Sequence, residues 1–163
     1  MSDTANERRD RTREELMSLV HDRNAMLSQY CMLAGVDVDR GRTGEQELNM
    51  ESELLQEFCE NLIDYLARGQ FELYQRITDG QERRKDIVTL ANDIYPRISE
   101  TTNFAVDFND AYDKSIKKLG NFDHYGERLS KLGEELAIRF ELEDKLIHSL
   151  LAPKAALEEA AIA

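Results

Sequence analysis

Apolar residues recur along this chain at intervals of three and four, the spacing of one face of a helix. Leu16, Leu19, Val20, Met26, Leu27, Tyr30 and Leu33 trace a first stripe, with Arg23 falling on it. Thr12, followed three residues later by Glu15, predicts a capping box and a helix start, with an end near Gly35. The stretch VDVDRGRTGEQELN at 36–49 is mostly polar, holds two glycines and predicts a loop. A second helix is expected from about Asn49, with Leu55, Phe58, Leu62, Tyr65, Leu66, Leu73 and Ile77 facing inward. Asp79-Gly80 breaks the pattern, and a third helical region is predicted over 82–119. Its stripe is Leu90, Ile94, Ile98, Ala105, Phe108, Tyr112, Ile116 and Leu119, and Pro96 should kink it or start a new segment. GNFD at 120–123 reads as the last turn, before a helix marked by Tyr125, Leu129, Leu132, Leu136, Phe140, Ile147 and Leu150 that ends near Pro153.

Strand signals are absent from this pattern. Four amphipathic segments joined by polar turns predict an all-α fold, an antiparallel up-and-down four-helix bundle with a kink near Pro96. Residues 1–12 read as a polar tail, 13–152 as a single helical-bundle domain and 153–163 as a C-terminal tail. In that topology the second and fourth helices run parallel across the bundle. GQFELYQRI at 69–77 and its echo IRFELEDKLI at 138–147 would then occupy related positions, a pseudo-twofold relation. Chance likeness between two helical core stretches is the alternative.

Composition sharpens the picture. A chain of 163 residues with 41% hydrophobic residues can bury a core large enough to fold without staples. Its 33 acids against 21 bases give a net charge of -12, which repels a nucleic-acid backbone and an anionic bilayer and favours a basic protein partner. Cys31 and Cys59 lie on apolar helical patterns without a CxxC pair and read as buried free thiols of a cytosolic protein. Residues 1–15 are almost wholly polar, and no apolar run approaches the roughly 18 residues of a membrane span. A soluble, cytoplasmic protein is expected.

Candidate chemistry narrows the choice further. A hemerythrin-like di-iron site needs His directly before each Phe of the echoed segments and a carboxylate three residues after it. Those positions hold Gln70 and Tyr74 in one copy, Arg139 and Glu143 in the other. A ferritin-like site needs Glu-x-x-His, whereas His21, His124 and His148 follow Ser18, Asn121 and Lys145 at that spacing. Neither a metal nor another cofactor is expected. The sequence also lacks a glycine-rich phosphate loop and a nucleophile elbow, and no His lies near either cysteine, so the chain does not read as an enzyme.

An interaction surface remains. On a wheel of about 100° per residue with Leu62 inward, Glu53, Glu57, Glu60 and Asp64 form one outward acidic row, and Phe71 comes next on it. An aromatic ring at the end of an acidic row suits a basic helix, the ring as anchor and the carboxylates as steering charges. The competing outcomes are ordinary solvation of the acids and a phase shift at Gly69 that turns Phe71 into the core. On the last helix the same projection buries Glu143 and part of Arg139, four residues apart, as a structural ion pair; a ligand site is the alternative.

LQEFCENLIDYLARGQFELYQRI at 55–77 and LAIRFELEDKLIHSLL at 136–151 closely resemble the Rsd/AlgQ family of bacterial regulators that bind the principal sigma factor of RNA polymerase. LSQYCMLAGV at 27–36 and IYPRIS at 94–99 extend the likeness, which covers about residues 16–151. The resemblance implies a helical bundle and a non-enzymatic anti-sigma activity, exerted on the basic sigma domain that recognises the -35 promoter element. It places the family's Asp of the "DY" pair on Asp64 and its Phe of the Gly-x-Phe segment on Phe71. The chain departs from the family where members often carry Asp-Arg-Trp, reading Met17, Ser18 and Leu19, and where a His often precedes the Phe, reading Gln70. Two other readings stand beside this one. One is a small-molecule sensor, or one linked to a phosphotransfer-system protein, built on a polar pocket near Arg139 and Glu143. The other is an acidic DNA mimic acting on other basic proteins.

Overall fold

The computed structural model describes residues 2–38, 45–80, 82–112 and 124–152. Helix α1 spans Ser2–Val38 and α2 spans Glu45–Arg68, which passes directly into a π-helical segment, Gly69–Tyr74, and a last turn, α3, Gln75–Thr78. Helix α4 covers Lys85–Ala111 and α5 covers Tyr125–Leu151. Among the described residues there is no strand, and the protein is an all-α bundle.

Side-chain pairs between helices give the direction of each. Gln29, Ser18 and Glu15 of α1 meet Asn61, Arg68 and Arg76, so numbers rise on one side as they fall on the other. Arg84, Arg97 and Phe108 of the α4 side meet Leu150, Glu135 and Tyr125 of α5 in the same antiparallel sense. Tyr30 and Arg23 bond to Leu129 and Asp144, which joins α1 to α5 and closes the ring α1–α2–α4–α5. The four stripes therefore converge on one core, in which Met26, Leu33, Phe58, Leu62, Leu73 and Leu132 are wholly buried.

The helix boundaries differ from the expected ones in instructive places. Helix α1 begins at Ser2, ten residues before the capping box, and Thr12 lies in mid-helix. The segment NERRDRTREE is rich in arginine and glutamate, good helix formers that need no apolar stripe, and residues 6–11 are all exposed. Helix α1 runs on to Val38 and α2 starts at Glu45, before Asn49, so both ends of the expected 36–49 loop are helical, and 39–44 lie outside the described residues. Leu27 and Cys31 fall on the apolar pattern of α1, yet both are exposed: the buried stripe is narrow and centres on Leu16, Leu19, Met26 and Leu33. Cys59 is buried. Pro96 lies inside a single α4 rather than opening a new segment; its missing N–H leaves the Asn92 carbonyl without that donor, and both residues are exposed to water. Ile116, Leu119, the GNFD turn and Pro153 lie outside the described residues.

Candidate partner-binding face and buried polar centre

The outer face of α2 carries the acidic row. Glu53, Glu57, Glu60 and Asp64 are all exposed, and among the described residues none of their carboxylates makes an ion pair. The seam between α1 and α2 is different. There Arg68 pairs with Asp22 and with Glu72 at 3.2 Å, and Arg76 pairs with Glu15. Positive charge is thus consumed at the seam, and the row beside it keeps its full negative potential.

At the end of α2 the backbone changes pitch. The Gln75 N–H donates to the Gln70 carbonyl, five residues back, and one extra residue is accommodated in the turn. Continued at about 100° per residue from Leu62, Tyr74 would sit roughly 120° from the inward direction, and Ile77 roughly 60°. The widened turn rotates them back, and Leu73, Tyr74 and Ile77 are buried. A phase shift at Gly69 does occur, but its inward rotation falls on Tyr74. Phe71 precedes most of it and stays 67% exposed. Its counterpart Phe140 is half-buried, edge-on to Tyr65 with centroids 6.0 Å apart and beneath the Arg23 guanidinium. The echoed segments therefore occupy unlike surroundings, and the pseudo-twofold relation does not reach their side chains.

The centre of the bundle is polar. Arg139 Nε donates to Glu143 Oε1 at 2.9 Å, and Arg139 Nη1 donates to Thr102 Oγ1 at 2.6 Å and Thr101 Oγ1 at 3.2 Å. The Tyr65 hydroxyl donates to Glu143 Oε2, and Arg23 Nη1 lies 3.6 Å from that same oxygen. All four long helices supply a member. Both Arg139 and Glu143 are fully buried. Gly69 makes room for them, since a Cβ there would stand 3.3 Å from Arg139 Nη2. Burial, and next the charge of Glu143, holds the Tyr65 hydroxyl protonated well above the ordinary tyrosine range. Burial opposes the charge on Arg139, but Glu143 and the two neighbouring tyrosines outweigh it and raise its pKa.

Several members were not singled out in the sequence. Tyr65 reads there as an inward ring, and Thr101 and Thr102 carry no mark. Arg23, a cation on an apolar stripe, was the visible sign of a polar centre. Glu135 is likewise buried, against the guanidinium of Arg97 at 3.0 and 3.1 Å. Among the described residues no three His, Cys, Asp or Glu side chains are grouped to hold a metal ion, and no helix is long and apolar enough to cross a membrane.

Comparison with known proteins places this architecture. Residues 1–151 match the model of a family described as regulator of RNA polymerase sigma(70) subunit, Rsd/AlgQ. The chain belongs to the Rsd/AlgQ family. Among its relatives, the "Regulator of sigma D" of Yersinia enterocolitica is 31% identical over 131 residues, covering 78% of this chain and 75% of the relative. The protein of that name from Yersinia pestis is 33% identical, covering 78% and 74%, and that from Shigella dysenteriae 34%, covering 78% of each. In this Rsd/AlgQ member the departures on α1 have clear settings. Met17 is 52% exposed, Ser18 accepts a hydrogen bond from Arg68 Nη2 at 3.0 Å, and Leu19 is in the core. Gln70 is exposed beside Phe71.

Proposed function

We propose that this chain is a cytoplasmic, non-enzymatic transcription regulator that binds the principal, sigma-70-type sigma factor and lowers its use by core RNA polymerase. The contact is made with the basic domain that recognises the -35 element, along Glu53, Glu57, Glu60 and Asp64 of α2, with Phe71 as the anchor. The observation that carries this reading is Phe71, a ring 67% exposed at the end of an unpaired acidic row, in a family named for sigma regulation. A large apolar side chain left in water at such a place has more to gain from a partner than from solvent. Arg139 and Glu143 are bonded to one another in the interior, so a small-molecule or phosphotransfer-linked sensor built on them draws no support from their geometry.

Titration of a labelled sigma domain with purified protein tests the reading. Asp64→Ala is expected to weaken binding by about 1 to 3 kcal/mol, the worth of a charge-assisted hydrogen bond. Phe71→Ala is expected to cost about 2 kcal/mol or more of binding as a central anchor, with the melting temperature nearly unchanged. A folded protein carrying both substitutions that still binds fully would place the interface elsewhere.

A further inference from the structure

Helix α1 differs from the other long helices in what it shows to water. From Met17 to Gly35 its charged residues are Asp22 and Arg23, and both are spent on neighbouring helices: Asp22 pairs with Arg68 of α2, and Arg23 with Asp144 of α5 at 2.7 Å. The exposed positions of that stretch hold no Asp, Glu, Lys or Arg. Elsewhere charge is on show, in the acidic row of α2, in Asp93, Glu100 and Asp107 on α4, and in Glu127, Glu134 and Glu141 on α5. The uncharged surface also carries large apolar groups, with Met17 52% exposed, Met32 56% and Leu27 36%. Apolar surface gathered in this way, with polar residues around it, marks a place where another molecule sits.

The same face is patterned. Met17, His21, Asn24, Ser28, Cys31 and Gly35 are spaced alternately four and three apart, the repeat of a coiled-coil seam, and all six are exposed. On a wheel of about 100° per residue they fall within about 80° of one another, on the side opposite the buried Leu19, Met26 and Leu33. Antiparallel pairing about a two-fold axis between Asn24 and Ser28 makes this seam complementary to itself: the long Met17 meets Gly35 of the second copy, and the Asn24 amide meets the Ser28 hydroxyl. Parallel pairing would instead set Met17 on Met17 and leave Gly35 facing Gly35. Charge returns at Arg13 and Glu14, at the level where the α1 of the second copy, ending at Val38, gives out. Two chains of charge -12 repel, so a second copy approaches most easily along the helix face that carries none of that charge.

We propose that the outward face of α1 is a self-association surface, on which a second copy of this chain docks antiparallel, α1 against α1, through the seam from Met17 to Gly35. The α2 row, on which sigma binding is proposed, is not part of this contact. Sedimentation velocity of the full chain in reducing buffer should show a monomer–dimer equilibrium that strengthens as salt is raised, because screening removes the repulsion between two acidic bodies. That is the reverse of the salt response expected with the sigma domain. Ser28→Glu sets like charges beside the two-fold axis at an already exposed position, and should weaken dimerisation by about tenfold or more with the circular dichroism spectrum unchanged. Val106→Glu, on an exposed position of α4, should dimerise as the parent does. Mild oxidation reads the direction of pairing: in His21→Cys the new thiol lies opposite Cys31 of the second copy and should give a disulfide-linked dimer. In the parent the two Cys31 residues stand about 15 Å apart along the axis, too far to be joined. A monomer at every concentration and salt, a dimer undiminished by Ser28→Glu, or ready joining of the parent through Cys31 would each overturn the inference.

Discussion

Replacing Arg139 by alanine isolates what the polar centre contributes. The substitution removes the donor to Glu143 at 2.9 Å and the donors to Thr102 and Thr101 at 2.6 and 3.2 Å. The threonines lose little, because their hydroxyls also donate to the Ile98 carbonyl. Glu143 loses most: it remains wholly buried with the Tyr65 hydroxyl and Arg23 at 3.6 Å as its remaining partners. Stranding one member of a buried pair costs about 3 to 5 kcal/mol, and the nearby Arg23 brings the expected loss to the lower end, about 3 kcal/mol. That is a large fraction of the roughly 5 to 15 kcal/mol by which a domain is stable. Arg139→Met combined with Glu143→Gln removes both charges while the amide oxygen still accepts from Tyr65, so it should recover half of the loss or more. Urea unfolding followed by circular dichroism measures both, as midpoint shifts at constant slope. Either a loss below about 1 kcal/mol for Arg139→Ala, or a double variant less stable than the single one, would refute the assignment of the cost to a stranded carboxylate.

Tyr65 and Tyr74 hold their protons more tightly folded than unfolded, first through burial and then through Glu143. Their stabilisation is therefore complete below the unfolded tyrosine pKa near 10 and is lost as pH rises above it, by up to about 1.4 kcal/mol per pH unit for each ring; urea midpoints from about pH 9 to about pH 11 should fall, and less steeply in Tyr74→Phe. Gly133→Ala places a Cβ 2.7 Å from Tyr30 Cζ and displaces a hydroxyl that donates to the Leu129 carbonyl. A loss of about 1 to 3 kcal/mol is expected, partly restored by Tyr30→Val, and thermal melts of the two variants would show it. Finally, association with the sigma domain should slow by about tenfold between low and high salt in stopped-flow mixing, since the unpaired α2 carboxylates steer the encounter; a salt-independent rate would make the row ordinary solvated surface.

What the sequence disclosed depended on whether a residue obeyed a single period. Leu55 to Leu66 kept the 3.6-residue repeat, and every inward position on that stretch of α2 is buried. The acidic row is the complement of that face and was legible for the same reason. Tyr74 was out of phase because the backbone itself changes pitch at Gly69, and periodicity drawn at one pitch cannot anticipate another. The start of α1 carries no apolar stripe, since residues 6–11 are all exposed, and so has helix propensity without periodicity. Cys31 and Leu27 show the opposite error, apolar side chains near a stripe but outside its width. The Arg139–Glu143 spacing was visible along one helix, whereas Tyr65, Thr101, Thr102 and Arg23 arrive from three others, and only tertiary packing brings them together.

The polar centre also makes this bundle intolerant of sliding. Leucine layers repeat, so a purely apolar helix displaced by one turn, about 5.4 Å, meets another layer much like the first. Arg139 and Glu143 have a single set of mates on α1, α2 and α4, and a displacement of that size in any of these helices would part a charge from its counterpart. The α2 face is consequently presented at a constant height and angle, whether or not anything lies upon it. If the proposed partner lands there, it has little helix ordering to induce, so its affinity would be set by encounter rate and complex lifetime rather than by rearrangement.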